Sequence, residues 1–331
     1  MKSLSDIAFS MLDLVPVRDR GTAAEALHNA VEVARHVERL GFTRYWLAEH
    51  HNMDGIASSA TAVLIGHIAG KTERIRVGSG GVMLPNHPPL VVAENFGTLE
   101  TLYPGRIDLG LGRAPGADQA TMRALRRDRL GDGADFPEQV AELEMLLGPR
   151  RSQQSLLAIP GEGTNVPIWL LGSSLFSAHL AAQKGLPYAF ASHFAPRYLH
   201  DALRIYRENF QPSAVLDKPY AMIGVPLVAA PTDDEAEYLA TTAFQRVLAL
   251  IRGDSLKQKP PVKSMAGLWL PHEQEAVGNF FGLAVIGGPE KVRSRLEILL
   301  EQTGVDEIIF TSDIYDHALR LRSLEIVAGL K

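Results

Sequence analysis

No cysteine occurs anywhere in the 331 residues. Disulfides, thiolate metal sites and a cysteine nucleophile are excluded by that alone. No run of about 18 apolar residues is present, so nothing reads as a membrane-spanning helix. The N-terminal segment 1–12 carries one Lys and no long apolar stretch, unlike a secretory signal. A cytoplasmic protein is the expectation. An excess of positive charge is also missing: 33 basic against 38 acidic residues leave a formal charge of −5. No basic stripe stands out, which argues against nucleic acid as a partner. What remains is an ordinary globular composition, 46% hydrophobic and 21% charged, able to bury a large core. At about 150 residues per domain the length suggests two domains. A single α/β barrel also reaches this length.

The chain alternates strand and helix from end to end. Apolar runs at 7–12, 44–48, 75–82, 106–112, 168–171, 188–191, 221–229 and 307–311 read as strands. Between them lie helical patterns. The first follows a Thr22-x-x-Glu25 capping box and closes at Gly41. Others span 59–71, 89–102, 117–130, 137–147, 175–184, 197–210, 233–252, 289–304 and 317–328. Two stretches break the rhythm, 148–166 and 253–284, and read as loop insertions. The second mixes Met265, Leu268, Trp269, Phe280 and Phe281 with Lys, Pro and Gly. It is either a lid over an apolar pocket or a loop packed outside the barrel. Strict βα alternation implies a parallel sheet covered by helices. Eight such units favour a (β/α)8 TIM barrel with insertion segments, a single domain over 1–331. An open doubly wound sheet is the alternative. Gly110-x-Gly112-x-x-x-Gly116 misses the dinucleotide spacing and lies too late in the chain to support it.

In such barrels the site lies at the C-terminal ends of the strands. The second strand ends in Glu49, His50 and His51. The third carries Gly78, Gly80 and Gly81, with Asn86 and His87 beyond, and the fourth ends in Arg113. The fifth ends in Gly172, Ser173 and Ser174, with Ser177 one turn on. A helix starting near residue 175 presents free N–H groups suited to a phosphate, or is merely capped by one of the serines. Arg113 would add a charge-assisted bond to the same anion or form a surface ion pair. The strand glycines mark either a bulge or the close approach of a flat ligand. His50 and His51 are adjacent in an extended segment and point to opposite faces, so they do not share a metal ion. One of them suits general acid–base work. Glu49 would orient a histidine or pair with an Arg.

Three segments together resemble the bacterial luciferase-like monooxygenases. They are Trp46-Leu47-Ala48-Glu49-His50-His51, then Val77-Gly78-Ser79-Gly80-Gly81-Val82-Met83-Leu84-Pro85, then Gly105-Arg106-Ile107-Asp108-Leu109-Gly110-Leu111-Gly112-Arg113. Ile286-Gly287-Gly288-Pro289-Glu290 and Gly304-Val305-Asp306-Glu307 resemble that family's C-terminal unit, so the likeness runs over about 5–330. The resemblance implies a TIM barrel, usually dimeric, that uses reduced FMN and O2 to oxygenate a small organic substrate. A separate flavin reductase would supply the FMN. It implies that the flavin faces Gly80-Gly81, whose peptide bond can be cis. The phosphate would lie near Arg113, Gly172, Ser173, Ser174 and Ser177. His50 would be catalytic, with His51 and Glu49 beside it. Related barrels use a deazaflavin for hydride transfer, and a non-catalytic flavin-binding barrel is a further alternative. A phosphate-substrate isomerase or aldolase would need a lysine or carboxylate at a strand end, and only Glu49 is there. Two departures argue against light emission and against an aldehyde as substrate: Gly112 stands where the luciferase α subunit has a reactive cysteine, and Ser173 where it has a glutamate.

Overall fold

The computed structural model describes residues 2–114, 119–125 and 133–331. Its strands are β1 (Ala8–Asp13), β2 (Arg44–Leu47), β3 (Arg76–Met83), β4 (Ile107–Gly112), β5 (Ile168–Gly172), β6 (Tyr188–Phe190), β7 (Ala221–Ala229), β8 (Val285–Gly287) and β9 (Glu307–Thr311). All pairings among them are parallel. Eight form the closed ring β1-β2-β3-β4-β5-β6-β7-β9, sealed where Ala8 to Met11 run beside Glu307 to Phe310. This is the (β/α)8 barrel. The ninth strand, β8, escapes the sequence pattern because it is three residues long and ends in glycine. The long β7 spends Met222 to Pro226 on β9 and its last three residues on β8.

Between the strands lie α1 (Ala23–Arg39), α2 (Thr61–Ala69), α3 (Pro89–Leu102), α4 (Gln119–Leu125), α5 (Phe136–Leu147), α6 (Leu175–Lys184), α7 (Leu199–Glu208), α8 (Asp233–Arg252), α9 (Pro271–Phe280), α10 (Pro289–Thr303) and α11 (His317–Ala328). The expected helix at 117–130 is described only over α4, and Gly116 lies outside the described residues. The helix expected at 197–210 opens with a 3-10 turn, Pro196–Tyr198, before α7. At α1 half of the capping box forms. Thr22 accepts from the Glu25 N–H at 3.2 Å, while the Glu25 carboxylate turns to Arg18. Gly41, Gly185 and Gly304 all sit at positive φ just past helices, where a side chain would be strained. Among the described residues no helix is long and apolar enough to cross a membrane.

The loop at 148–166 packs away from the strand ends, with Gly161 laid against Gly97 of α3. The segment 253–284 does both things expected of it. Met265 and Val277 pack on Val247 and Leu248 of α8, while Leu256, Phe280 and Phe281 wall a cavity. It also contains α9, which the sequence rhythm does not reveal.

The barrel lumen is filled in layers. At the N-terminal end Asp108 accepts from Arg44 (2.8 Å), Arg76 (2.6 Å) and Trp46 Nε1 (3.1 Å). Glu307 accepts from Arg44 (3.0 Å), Tyr220 (2.9 Å) and Ser10. These carboxylates are fully buried and fully answered, as burial of charge demands. Above them Leu12, Trp46, Trp169, Met222 and Ile309 form an apolar plug. That plug is the floor on which the site stands.

Candidate active site

Over the floor lies a cavity of about 410 Å³. Its base is Leu12, Trp46 and Ile309; its walls are strand ends. Gly80 and Gly81 form one wall, Arg113 and Gly112 the next, and Gly172, Ser173, Ser174 and Ser177 the third. The segments singled out in sequence therefore meet at one mouth.

Local chemistry explains each wall. Between Ser79 and Val82 three steps of β3 run against two of β4, so Gly80-Gly81 is a bulge. The bulge reading of these glycines therefore holds; Gly80 and Gly81 also line the cavity, and the peptide between them is cis. A Cβ on Gly81 would stand 2.7 Å from the Gly110 carbonyl oxygen, and one on Gly110 would stand 2.2 Å from that of Ser79. The Ser79 hydroxyl pins the bulge by accepting from Gly110 N–H and donating to its carbonyl. At the third wall Ser174 is the N-cap residue of α6, but its side chain makes no capping bond. Of the two readings of this turn, capping by the Ser174 side chain is not what the structure shows. Ser173, Ser174 and Ser177 line the cavity at the positive end of the helix dipole. Gly172 lets the strand end pass the Ser177 hydroxyl, where a Cβ would lie 2.0 Å from Oγ. The Arg113 guanidinium stacks 4.2 Å from the Phe176 ring in the first turn of α6. A cation and a helix N-terminus are held side by side, a ready anion site.

The second strand leads into a carboxylate, Glu49, and two histidines, His50 and His51. Glu49 is buried, and its Oε1 accepts from His51 Nε2 and His87 Nε2, each at 2.7 Å. Its Oε2 accepts from the Met83 N–H at 3.2 Å. Burial pushes the Glu49 carboxyl up, but the His87 bond and charge, His51 and the Met83 N–H outweigh it and leave it below the usual range. His51 is tied to Glu49 and is not among the residues that line this cavity. Glu49, His51 and His87 bring ligand-type atoms within 4.8 Å of one another, already joined by hydrogen bonds. His50 points the other way, into the cavity. Its Nδ1 is buried and has no partner among the described residues. Burial, with Arg246 and His51 adding to it, lowers its pKa to about 4 against the opposing pull of Glu49. The sequence-based expectation of a histidine titrating near neutrality is corrected: at neutral pH His50 is an uncharged imidazole.

A glycine-lined cavity on an apolar floor, with a cation beside a helix N-terminus and a neutral imidazole, suits a flavin-type cofactor. Residues 7–307 match the luciferase-like monooxygenase family. The chain belongs to that family. It is 52% identical over 325 residues to a luciferase-like monooxygenase of Escherichia coli (strain K12), covering 98% of this chain and 97% of that one. The crystal structure of apo-MsnO8 superposes with a TM-score of 0.87 at 34% identity, over 98% of each chain. A type II Baeyer–Villiger monooxygenase, the oxygenating constituent of 3,6-diketocamphane monooxygenase from Pseudomonas putida in complex with FMN, gives 0.74 at 18% identity over 97% of each chain. At that identity the last likeness speaks to the fold alone.

Nine of the ten residues expected at the site line this family member's cavity; His51 is the exception. Gly112 also lines it, and a Cβ there would meet only the Val82 carbonyl oxygen, at 3.8 Å. Sequence reasoning missed His193. It follows β6, lines the same cavity, and has a buried Nδ1 with no partner among the described residues. Its ring lies over Gly224 of β7, where a Cβ would be 2.2 Å from Nδ1. Burial, then the neighbouring His50, lowers its pKa to about 4. The signal that finds it is its place at a strand end.

Proposed function

We propose that this chain is an FMN-dependent monooxygenase of the luciferase-like family. It would consume reduced FMN and O2 and yield oxidised FMN, water and an oxygenated small organic product. The observation carrying this reading is the convergence of Gly80-Gly81, Arg113 and the α6 N-terminus on one apolar-floored cavity. Family membership supports the oxidoreductase class. Reduced FMN supplies the electrons that activate oxygen. The chain's own residues do the rest. Arg113, the α6 N–H groups and Ser173, Ser174 and Ser177 would hold the phosphate, and Gly80 and Gly81 would stand against the ring. The apolar walls exclude water, which limits unproductive loss of activated oxygen. Neutral His50 offers one N–H and one lone pair to the reacting atoms, with Glu49 and His51 fixing the segment that carries it. No dinucleotide fingerprint is evident, so a separate reductase supplies reduced FMN. A homodimer is inferred from the family resemblance alone.

The test is titration of FMN and of a deazaflavin into the protein, followed by stopped-flow mixing of the reduced, loaded protein with O2. FMN is expected to bind and the deazaflavin not, and His50→Ala should keep FMN affinity while losing most turnover. Preferred deazaflavin binding would reassign the chain to hydride transfer. A tightly held flavin that O2 does not reoxidise would make it a flavin-binding barrel without catalysis.

A further inference from the structure

A second cavity, of about 350 Å³, opens beside the first and shares Leu14, His50, His193 and Phe194 with it. We propose that this side chamber binds an uncharged, mainly apolar substrate whose single polar group is held at the shared throat by His50 and His193. The proposal rests on the flavin reading for one point only, that the throat is where the reaction occurs.

The chamber is roofed by the 253–284 segment and walled by α8. Ile56, Val228, Ala243, Val247, Phe280 and Phe281 give it a continuous apolar lining. Among the described residues two charged ones line it, Arg246 and Asp313, and they pair with each other. Gln258 Nε2 donates a further bond to Asp313 at 3.0 Å. Arg246 is almost fully buried, so this pair is a net-neutral unit set in an apolar wall. A substrate carboxylate entering the chamber would find the Arg246 charge balanced by Asp313. An ammonium group would find Asp313 engaged by Arg246 and Gln258, with the guanidinium beside it. Burying either charge without a counter-charge is strongly unfavourable. An apolar body gains from leaving water.

The throat supplies what an apolar body lacks. His50 and His193 both line the throat, and burial keeps both rings uncharged, so each offers a neutral imidazole to a polar group there. A carbonyl, ester or hydroxyl at the end of an apolar molecule bonds to one of these rings and points its neighbouring atoms into the flavin cavity. The substrate class is therefore a neutral apolar ketone, ester or alcohol, with acids and amines rejected by the net-neutral Arg246–Asp313 pair.

Calorimetric titration of the full chain, without and with FMN, using 2-nonanone, nonanoate and nonylamine at pH 7.5 tests this. The ketone is expected to bind at least tenfold tighter than the acid or the amine. Asp313→Asn leaves Arg246 unanswered and should tighten nonanoate at least tenfold. Ala243→Phe and Leu250→Trp fill the chamber from a buried and an exposed position; each should weaken 2-nonanone at least tenfold with FMN affinity within twofold. Nonanoate or nonylamine binding the wild type as well as the ketone would overturn the proposal. So would ketone binding that neither filling variant changes, or no binding of any probe. If the ketone behaves as stated and FMN does not bind, the flavin reading falls and the chamber assignment stands. If FMN binds and the ketone does not, the reverse holds.

Discussion

Replacing Arg113 by Ala tests the anion end of the cavity by a difference between two ligands. The guanidinium sits at the end of β4, 4.2 Å from the Phe176 ring and beside the uncapped first turn of α6. A hydrogen bond from a cation to a phosphate contributes about 1.5–3 kcal/mol. Arg113 is only half-buried, so solvent screening reduces this to about 1–2 kcal/mol. At about 1.4 kcal/mol per factor of ten, FMN should bind Arg113→Ala about 5- to 30-fold more weakly. Riboflavin has the same ring and no phosphate, so its affinity should change less than twofold. Quenching of flavin fluorescence, measured for both ligands against both proteins at one ionic strength, closes the cycle. Raising the salt should weaken FMN binding to the wild type and leave riboflavin unaffected, since screening acts on the charged group. Arg113→Lys keeps the charge but loses the flat stack on Phe176, and should fall between the two. Equal weakening of FMN and riboflavin would refute the reasoning, because Arg113 would then act on the ring or on the fold. No change for either ligand would put the phosphate elsewhere.

Two further outcomes concern the protein without its cofactor. His50 and His193 have pKa values of about 4 in the folded chain against an ordinary value of 6.5. The unfolded chain therefore binds more protons between these limits, so stability is fully present above pH 6.5 and is lost as pH falls toward 4. The thermal midpoint should drop across that window, and the His50→Gln, His193→Gln double variant should drop less, as followed by circular dichroism. At the barrel's side, Asp13 Oδ1 accepts from Arg320 at 2.9 Å and Oδ2 from Tyr45 at 2.6 Å, all three groups being buried. Arg320→Met strands a buried carboxylate and should lower the unfolding free energy in urea by about 3–5 kcal/mol. Adding Asp13→Asn should recover part of that loss.

The parts of this site that are legible in sequence are those made by local backbone. Glycines at 80 and 81 break a strand pattern because the bulge must pass the Gly110 carbonyl, and that closeness is written as a missing side chain. The α6 N-terminus is legible because Gly172-Ser173-Ser174 stands between a strand and a helical period. Strand ends are also legible, and the same rule carried past β5 and β6 would have reached His193, and past β9, Asp313. Other features follow from contacts between distant elements. The neutrality of His50 depends on its burial and on Arg246, about two hundred residues further along. Arg246 lies inside α8, where its period marks it only as one polar residue on an amphipathic helix. Its partner Asp313 comes from beyond the last strand, and Gln258, which bonds Asp313, from the 253–284 segment. The cofactor end of the mouth is thus built from contiguous motifs that a family keeps recognisable, and the chamber beside it from single residues far apart in sequence. A change at Asp313 alone would alter the charge that the chamber tolerates while leaving every motif of the family intact. Substrate choice can therefore diverge within this fold without a trace in the segments by which the fold is recognised.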